Sequence, residues 1–380
     1  MEKHKLYYEQ PYMKEFEAKV TSCVQNGDVF EVTLENTCFY PEGGGQPSDT
    51  GFIGEASVSF VKEKGENIIH ILDKPLETGK TYMSGIDWQR RFDHMQHHSA
   101  EHVVSGIINK LYGADNVGFH IGEEYITMDY NVNLNAEDIE KIEYHSNAAV
   151  FKNIPIKIDY YDSTPEIDYR SKKELSGTIR IVTIPDCDVC ACCGTQLAST
   201  GEIGLIKIVS FQKYKSGSRL FMVCGFRALK DYRIKENNIS EISAMLSAKP
   251  YESAKHVQTL NDEKERLRFE LTKLRFELID IKTNEMEASG TAIVFEENLS
   301  AEEMRRFLNN LSKKCETVSV FSGNDNEGYK YVFLSSGEDF AGIVKSMNAA
   351  LNGKGGGKDV AQGFLNSTKT EIQAFMENLS

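Results

Sequence analysis

Basic residues are in deficit: 43 Lys and Arg face 57 Asp and Glu, a formal net charge of −14. That balance excludes a protein that coats nucleic acid through bulk charge, while leaving room for a local basic groove. Long apolar runs are missing too. None approaches the roughly 20 residues needed to span a bilayer, so no membrane association is expected. The opening residues Met1-Glu-Lys-His-Lys-Leu-Tyr-Tyr8 lack the apolar core and small-residue cleavage site of a signal peptide, and a cytoplasmic protein is expected. In that compartment the eight cysteines should be mostly reduced. No repeat or low-complexity tract is evident. No Gly-Lys-Ser/Thr ending makes a nucleotide-binding loop of the glycine-rich stretch near the C-terminus. What remains, 40% hydrophobic and 26% charged, is an ordinary globular composition long enough for two or three domains.

Chemistry concentrates first in His98-Ser-Ala-Glu-His102. On a helix, His98 and His102 share a face, and two imidazoles so placed can bind one metal ion. A solvated, histidine-rich helix is the plainer reading. Four of the cysteines fall within Cys187-Asp-Val-Cys-Ala-Cys-Cys193, a cluster suited to metal or redox chemistry and able to complete a site begun by the histidines. A third stretch, Thr37-Cys-Phe-Tyr-Pro-Glu-Gly-Gly-Gly-Gln46, places Gly43, Gly44 and Gly45 in a row. Glycine permits positive φ and close approach of a ligand to the backbone, so this is either a turn or a loop that faces substrate.

Taken in order, residues 1–88 alternate as short strands with a Gln25-Asn-Gly-Asp28 turn signal, which predicts a small β-barrel. Residues 89–235 read as an α/β domain, with the histidines on a helix and a second helix capped by Asn135. Across 236–287, Val257, Leu260, Leu267, Leu271, Leu274, Leu278 and Ile281 recur at three- and four-residue steps. That is a heptad seam, and it fits either a coiled-coil homodimer through 257–281 or an intramolecular helical hairpin. Residues 288–380 read β-α-β-β-α, with a capping box at Ser300–Glu303, followed by a glycine-rich loop over Asn352–Gly363. Lys354 and Lys358 in that loop suit a phosphate backbone. The whole is an α+β chain.

Phe39-Tyr-Pro-Glu-Gly-Gly-Gly-Gln46 with Asp49 and Gly51, His98-x3-His102, and Cys192-Cys-Gly-Thr-Gln196 followed by Thr200-Gly-Glu-Ile-Gly204 occur in that order. Together they resemble the editing domain of alanyl-tRNA synthetases and the free-standing AlaX proteins. The stretch 352–363 is similar to the glycine-rich motif of the C-terminal domain that those synthetases share with DHH phosphoesterases. The resemblance implies zinc-assisted hydrolysis of tRNA(Ala) mischarged with serine or glycine, by a trans-editing enzyme of the long AlaX type. It implies zinc ligands at His98, His102 and Cys192. The family's last ligand is a histidine, and here Gln196 stands in its place. Three readings follow: Gln196 or a water in the fourth position, Cys187 or Cys190 replacing it, or weak metal binding.

The resemblance also makes Thr37 the sensor of the seryl hydroxyl and puts Gln46 and Gly43–Gly45 against the substrate. For tRNA, the candidate cations are Arg90, Arg91, the basic residues from Lys264 to Arg275, and above all Lys354 and Lys358. His94, His97 and His120 are not assigned as ligands. No Ser-His-Asp or Cys-His set is apparent, so no covalent intermediate is expected. A general base is not assigned; the terminal ribose hydroxyl and a zinc-activated hydroxide are candidates. Rival readings are a zinc- and tRNA-binding protein without hydrolysis, a metal-dependent hydrolase of a small molecule, and a DHH-like phosphoesterase. The last lacks its Asp-His-His triplet, since Asp93-His94-Met95 breaks it.

Overall fold

The computed structural model describes residues 4–171, 178–287, 290–337 and 339–378. The chain divides into two units, Met1–Ser240 and Glu241–Ser380. In the first, β1 (His4–Lys5) and α1 (Leu6–Glu9) lead into β2 (Glu15–Asn26), β3 (Val29–Leu34) and β4 (Asn36–Thr37), and β1 pairs with β4 in parallel. β5 (Gly51–Ile53), β6 (Ala56–Lys64), β7 (Asn67–Leu72) and β8 (Thr81–Ile86) follow. The expected barrel is there and closed, in the order β2-β3-β7-β6-β5-β8. Its cause is visible in β2, where Phe16, Ala18 and Val20 point inward while Glu15, Glu17 and Lys19 face water. Gly27, at φ 63, makes the tight β2–β3 turn.

α2 (Trp88–Tyr112) leaves the barrel with Asp87 accepting a hydrogen bond from the Arg90 N–H, and stops at Gly113 in the left-handed region. It packs on α3 (Ala136–Phe151), whose Asn135 and Asp138 form a full capping box. Against these helices lie two antiparallel sheets. One is ordered β14 (Ile206–Tyr214), β15 (Gly217–Cys224), β10 (Ile126–Tyr130), β9 (Asn116–Ile121). The other is β11 (Lys157–Tyr161), β12 (Ile179–Ile184), β13 (Asp188–Ala191). Met95, Val103, Val104 and Ile108 of α2 join Ile126, Met128, Leu220 and Met222 in one core. The α2 backbone comes so close to β13 that a Cβ at Gly106 would lie 2.2 Å from the Cys187 carbonyl oxygen. α4 (Gly225–Leu246) begins in this unit.

The second unit holds α5 (Ser253–Glu285), β16 (Thr291–Glu296), α6 (Ala301–Leu311), β17 (Thr317–Asn324), β18 (Gly328–Ser335), α7 (Phe340–Ala350), β19 (Gly353–Gly356), β20 (Ala361–Leu365) and α8 (Lys369–Glu377). The sheet runs β16-β17-β18-β20-β19, and only β16–β17 is parallel. Two expectations change here. The glycine-rich stretch is not a loop: β19 and β20 pair as a hairpin at the sheet edge. Gly355 lies opposite Gly363, and a Cβ on Gly355 would meet the Gln362 carbonyl oxygen at 2.5 Å. α8, with its capping box at Thr368 and Glu371, extends the expected order.

α5 is one long helix, and its heptad residues are between 41% and 61% exposed. The face that packs on α6 is a different one, carrying Phe276, Ile279 and Thr283, with Asp280 paired to Arg306. An intramolecular hairpin therefore does not cover the seam. Among the described residues no helix is long and apolar enough to cross a membrane. All eight cysteines are free.

Candidate metal centre

α2 carries His98 and His102 one turn apart, their rings stacked with centroids 5.6 Å apart. Each imidazole has its Nδ1 taken. His98 Nδ1–H donates to Gln46 Oε1 at 2.9 Å. The orientation of that amide is set by Thr195, whose N–H also donates to Oε1 and whose hydroxyl accepts from Gln46 Nε2. His102 Nδ1–H donates to Asp188 Oδ2 at 2.8 Å, and Arg170 clamps the same carboxylate with two bonds of 2.7 Å. Both rings are thus held with Nε2 as the free nitrogen. His102 Nε2 is buried and has no hydrogen-bond partner.

The third donor comes from the turn after β13. Cys192 Sγ lies 3.2 Å from His98 Nε2 and accepts the Gly194 N–H, also at 3.2 Å. A Cβ at Gly194 would stand 2.0 Å from His98 Cε1, so only glycine lets the turn pass this close to the ring. Burial alone would raise the Cys192 thiol, but the imidazoles of His98 and His102 hold it well below the usual thiol range. The donor atoms of His98, His102 and Cys192 all lie within 4.8 Å of one another. An orphaned imidazole nitrogen, a second imidazole whose Nε2 faces the sulfur, and a thiol held low together fit zinc.

Gln196 is buried beside them, with Nε2 3.7 Å from Cys192 Sγ and Oε1 accepting the Ser99 hydroxyl. His102, Asp188 and Cys190 form a second such group. The Cys190 thiol, however, donates to the Ala191 carbonyl, and Asp188 is committed to Arg170.

The glycine stretch is a tight turn closed by reciprocal backbone bonds between Gly43 and Gln46. Gly44 and Gly45 have φ of 58 and 83, and a Cβ on Gly45 would collide with the Phe119 carbonyl oxygen at 2.5 Å. The turn reaches the metal cluster through Gln46 and through the Phe119 ring, 5.1 Å from that of His98. Thr37 is buried in the barrel. His70 Nδ1–H donates to the Val32 carbonyl, so His70 Nε2 accepts the Thr37 hydroxyl at 2.9 Å, and that hydroxyl accepts the Phe39 N–H.

Arg91 is a correction to the expected tRNA surface: it is fully buried, bonded to Asp49 and to the Pro11 and Cys38 carbonyls. His97 caps the Cys224 N–H, and His120 is exposed on β9. Cations of α5 pair along their own helix, as Arg266 does with Glu270 and Arg268 with Glu265. Lys354 and Lys358 are exposed on the β19–β20 hairpin of the second unit. Asp188, Arg170, Thr195 and Ser99 were missed from sequence. For Asp188 a signal existed: in a strand it shares a face with Cys190.

Three family models match. "Threonyl and Alanyl tRNA synthetase second additional domain" covers residues 179–222, "tRNA synthetases class II (A)" covers 3–90, and "DHHA1 domain" covers 288–380. The chain is 32% identical to alanyl-tRNA editing protein AlaX-L of Pyrococcus horikoshii, over 97% of this chain and 96% of the relative. It is 28% identical to alanyl-tRNA editing protein Aarsd1-B of Xenopus laevis, again over 97% and 96%. Against alanine–tRNA ligase of Pyrococcus abyssi it is 31% identical over 97% of its length, which spans 42% of the ligase.

Proposed function

The chain belongs to the AlaX-L type of alanyl-tRNA editing proteins, and on that premise we propose that it is a trans-editing aminoacyl-tRNA deacylase acting on tRNA(Ala) mischarged with serine, with glycine the second candidate. The observation that carries the reading is the buried group of His98, His102 and Cys192, with two nitrogens turned inward by Gln46 and Asp188. A zinc ion held by these three residues would supply Lewis-acid polarisation of the aminoacyl ester. In the reaction, water oxygen bonds to the ester carbonyl carbon. The carbon–oxygen bond to the terminal ribose breaks, and the ribose oxygen takes a proton, leaving free serine and tRNA.

Selectivity falls to Thr37. Its proton is committed to His70 and one lone pair to Phe39, so it offers one remaining acceptor. A seryl hydroxyl can donate there; an alanyl methyl cannot, which protects correctly charged tRNA. The test is deacylation of Ser-, Gly- and Ala-tRNA(Ala) with and without chelator. Seryl ester should be lost and alanyl ester spared, and chelation or H102A should abolish the rate. Full activity in both H98A and H102A would remove the site assignment.

For the tRNA itself, the exposed β19–β20 hairpin is favoured, since Lys354 lies opposite the exposed ring of Phe364. A cation beside a stacking surface suits single-stranded or distorted nucleic acid. K354A/K358A should lower the dependence of log affinity on log salt by about 2 if both lysines meet phosphates. An unchanged slope speaks against the hairpin. The exposed α5 seam is where a second copy of the chain would dock, and a cytoplasmic location follows from the substrate.

A further inference from the structure

Gln196 stands where the family's fourth ligand would be, and its surroundings fix how its amide points. Ser99 Oγ accepts the Leu197 N–H at 3.1 Å, so its single proton is free for the Gln196 amide oxygen, 2.8 Å away. The oxygen, which is the only atom of this side chain that ligates hard or borderline metals, is thereby turned to Ser99 while the nitrogen faces the sulfur. The amide nitrogen is left toward Cys192 Sγ at 3.7 Å. It presents N–H groups to the sulfur and no lone pair to a metal. With the Gly194 N–H it gives the Cys192 sulfur two donors. Cys190 does not join the set, since its sulfur groups with His102 and Asp188 and not with His98 and Cys192.

We infer that Gln196 is a positioning residue that hydrogen-bonds the Cys192 thiolate, and that a metal bound here has three protein ligands and a fourth place left to a non-protein donor. This rests on the reading of His98, His102 and Cys192 as ligands. It adds that the departure from histidine opens the site rather than weakening it by a poor ligand.

Cobalt(II) as the probe metal separates the two claims. The full-length protein loaded with Co2+ should show sulfur-to-cobalt charge transfer, and azide should shift its visible bands. Q196H should supply a fourth protein nitrogen. It should hold Co2+ roughly tenfold or more tightly in competition with a chromophoric chelator, and its bands should ignore azide. Q196A and C190S should keep the charge-transfer band, shifted in Q196A by loss of the N–H donor. Azide-insensitive wild-type bands overturn the open place. So does loss of the charge-transfer band in Q196A or C190S with an unchanged far-ultraviolet spectrum. Absence of charge transfer in the wild-type protein overturns the metal reading and this inference together.

Discussion

α2 carries four histidines, two arginines and Glu101, and sixteen of its 25 residues are buried. α5 carries a leucine seam through 33 residues, of which three are buried. The helix with the row of histidines is the inner one, and the helix with the leucine seam is the outer one. The difference lies in partners. In α2, Arg91 meets Asp49, Gln96 meets the Glu202 carbonyl, His97 the Cys224 N–H, His98 Gln46, Ser99 Leu197, His102 Asp188, and Ser105 Tyr130. Each bond removes a penalty of about 1–3 kcal/mol that an unpaired buried group would carry. α5 has apolar side chains in a row that nothing among the described residues covers. Burial follows complementary surface, and apolar periodicity alone does not supply it.

The comparison is broken hardest at Arg91. R91M leaves the Asp49 carboxylate buried without its cation and should cost about 3–5 kcal/mol in urea unfolding. R91M/D49N should recover most of that. A loss below about 1 kcal/mol would mean that the pair is not what holds α2 inside.

Acid should separate the two units next. Burial pushes His70 down to about 4 from an ordinary 6.5. The unfolded chain therefore takes up the proton first. Stability from the neutral ring is fully present above pH 6.5 and is lost as pH falls toward 4, by about 3 kcal/mol. Trp88, the single tryptophan, reports on the first unit by fluorescence. The only histidine of the second unit, His256, is exposed, so that unit should not share the step. H70Q should reduce the step in the first unit without removing it, since burial also pushes His94 down to about 3; a step of equal size in H70Q would exclude His70 as a source.

The smallest effect is expected on α5. L267E/L274E should change stability by no more than about 0.5 kcal/mol in dilute protein, since both leucines are half exposed. In sedimentation the same variant should abolish any concentration-dependent dimer. A loss above about 2 kcal/mol in dilute protein would show that the seam is packed within one chain.

The barrel was legible because β2 alternates strictly and Gly27 marks its turn, both local signals. So was the histidine pair, because a four-residue step puts two rings on one face. The β19–β20 hairpin was not: five glycines read as turn material, although the missing Cβ atoms are what allow Gly355 and Gly363 to pair so closely. Arg91 looked like a surface cation because its partner Asp49 lies 42 residues earlier, a separation no periodicity encodes. Asp188 hid among cysteines that drew the eye to sulfur. Local chemistry was readable; which distant group answers it was not.

At Gly106 the α2 backbone packs on the start of β13, and that approach brings His102 and Asp188, 86 residues apart in sequence, within hydrogen-bond distance. Any side chain at position 106 would act as a wedge, parting helix from strand and drawing the Asp188 carboxylate off the His102 ring.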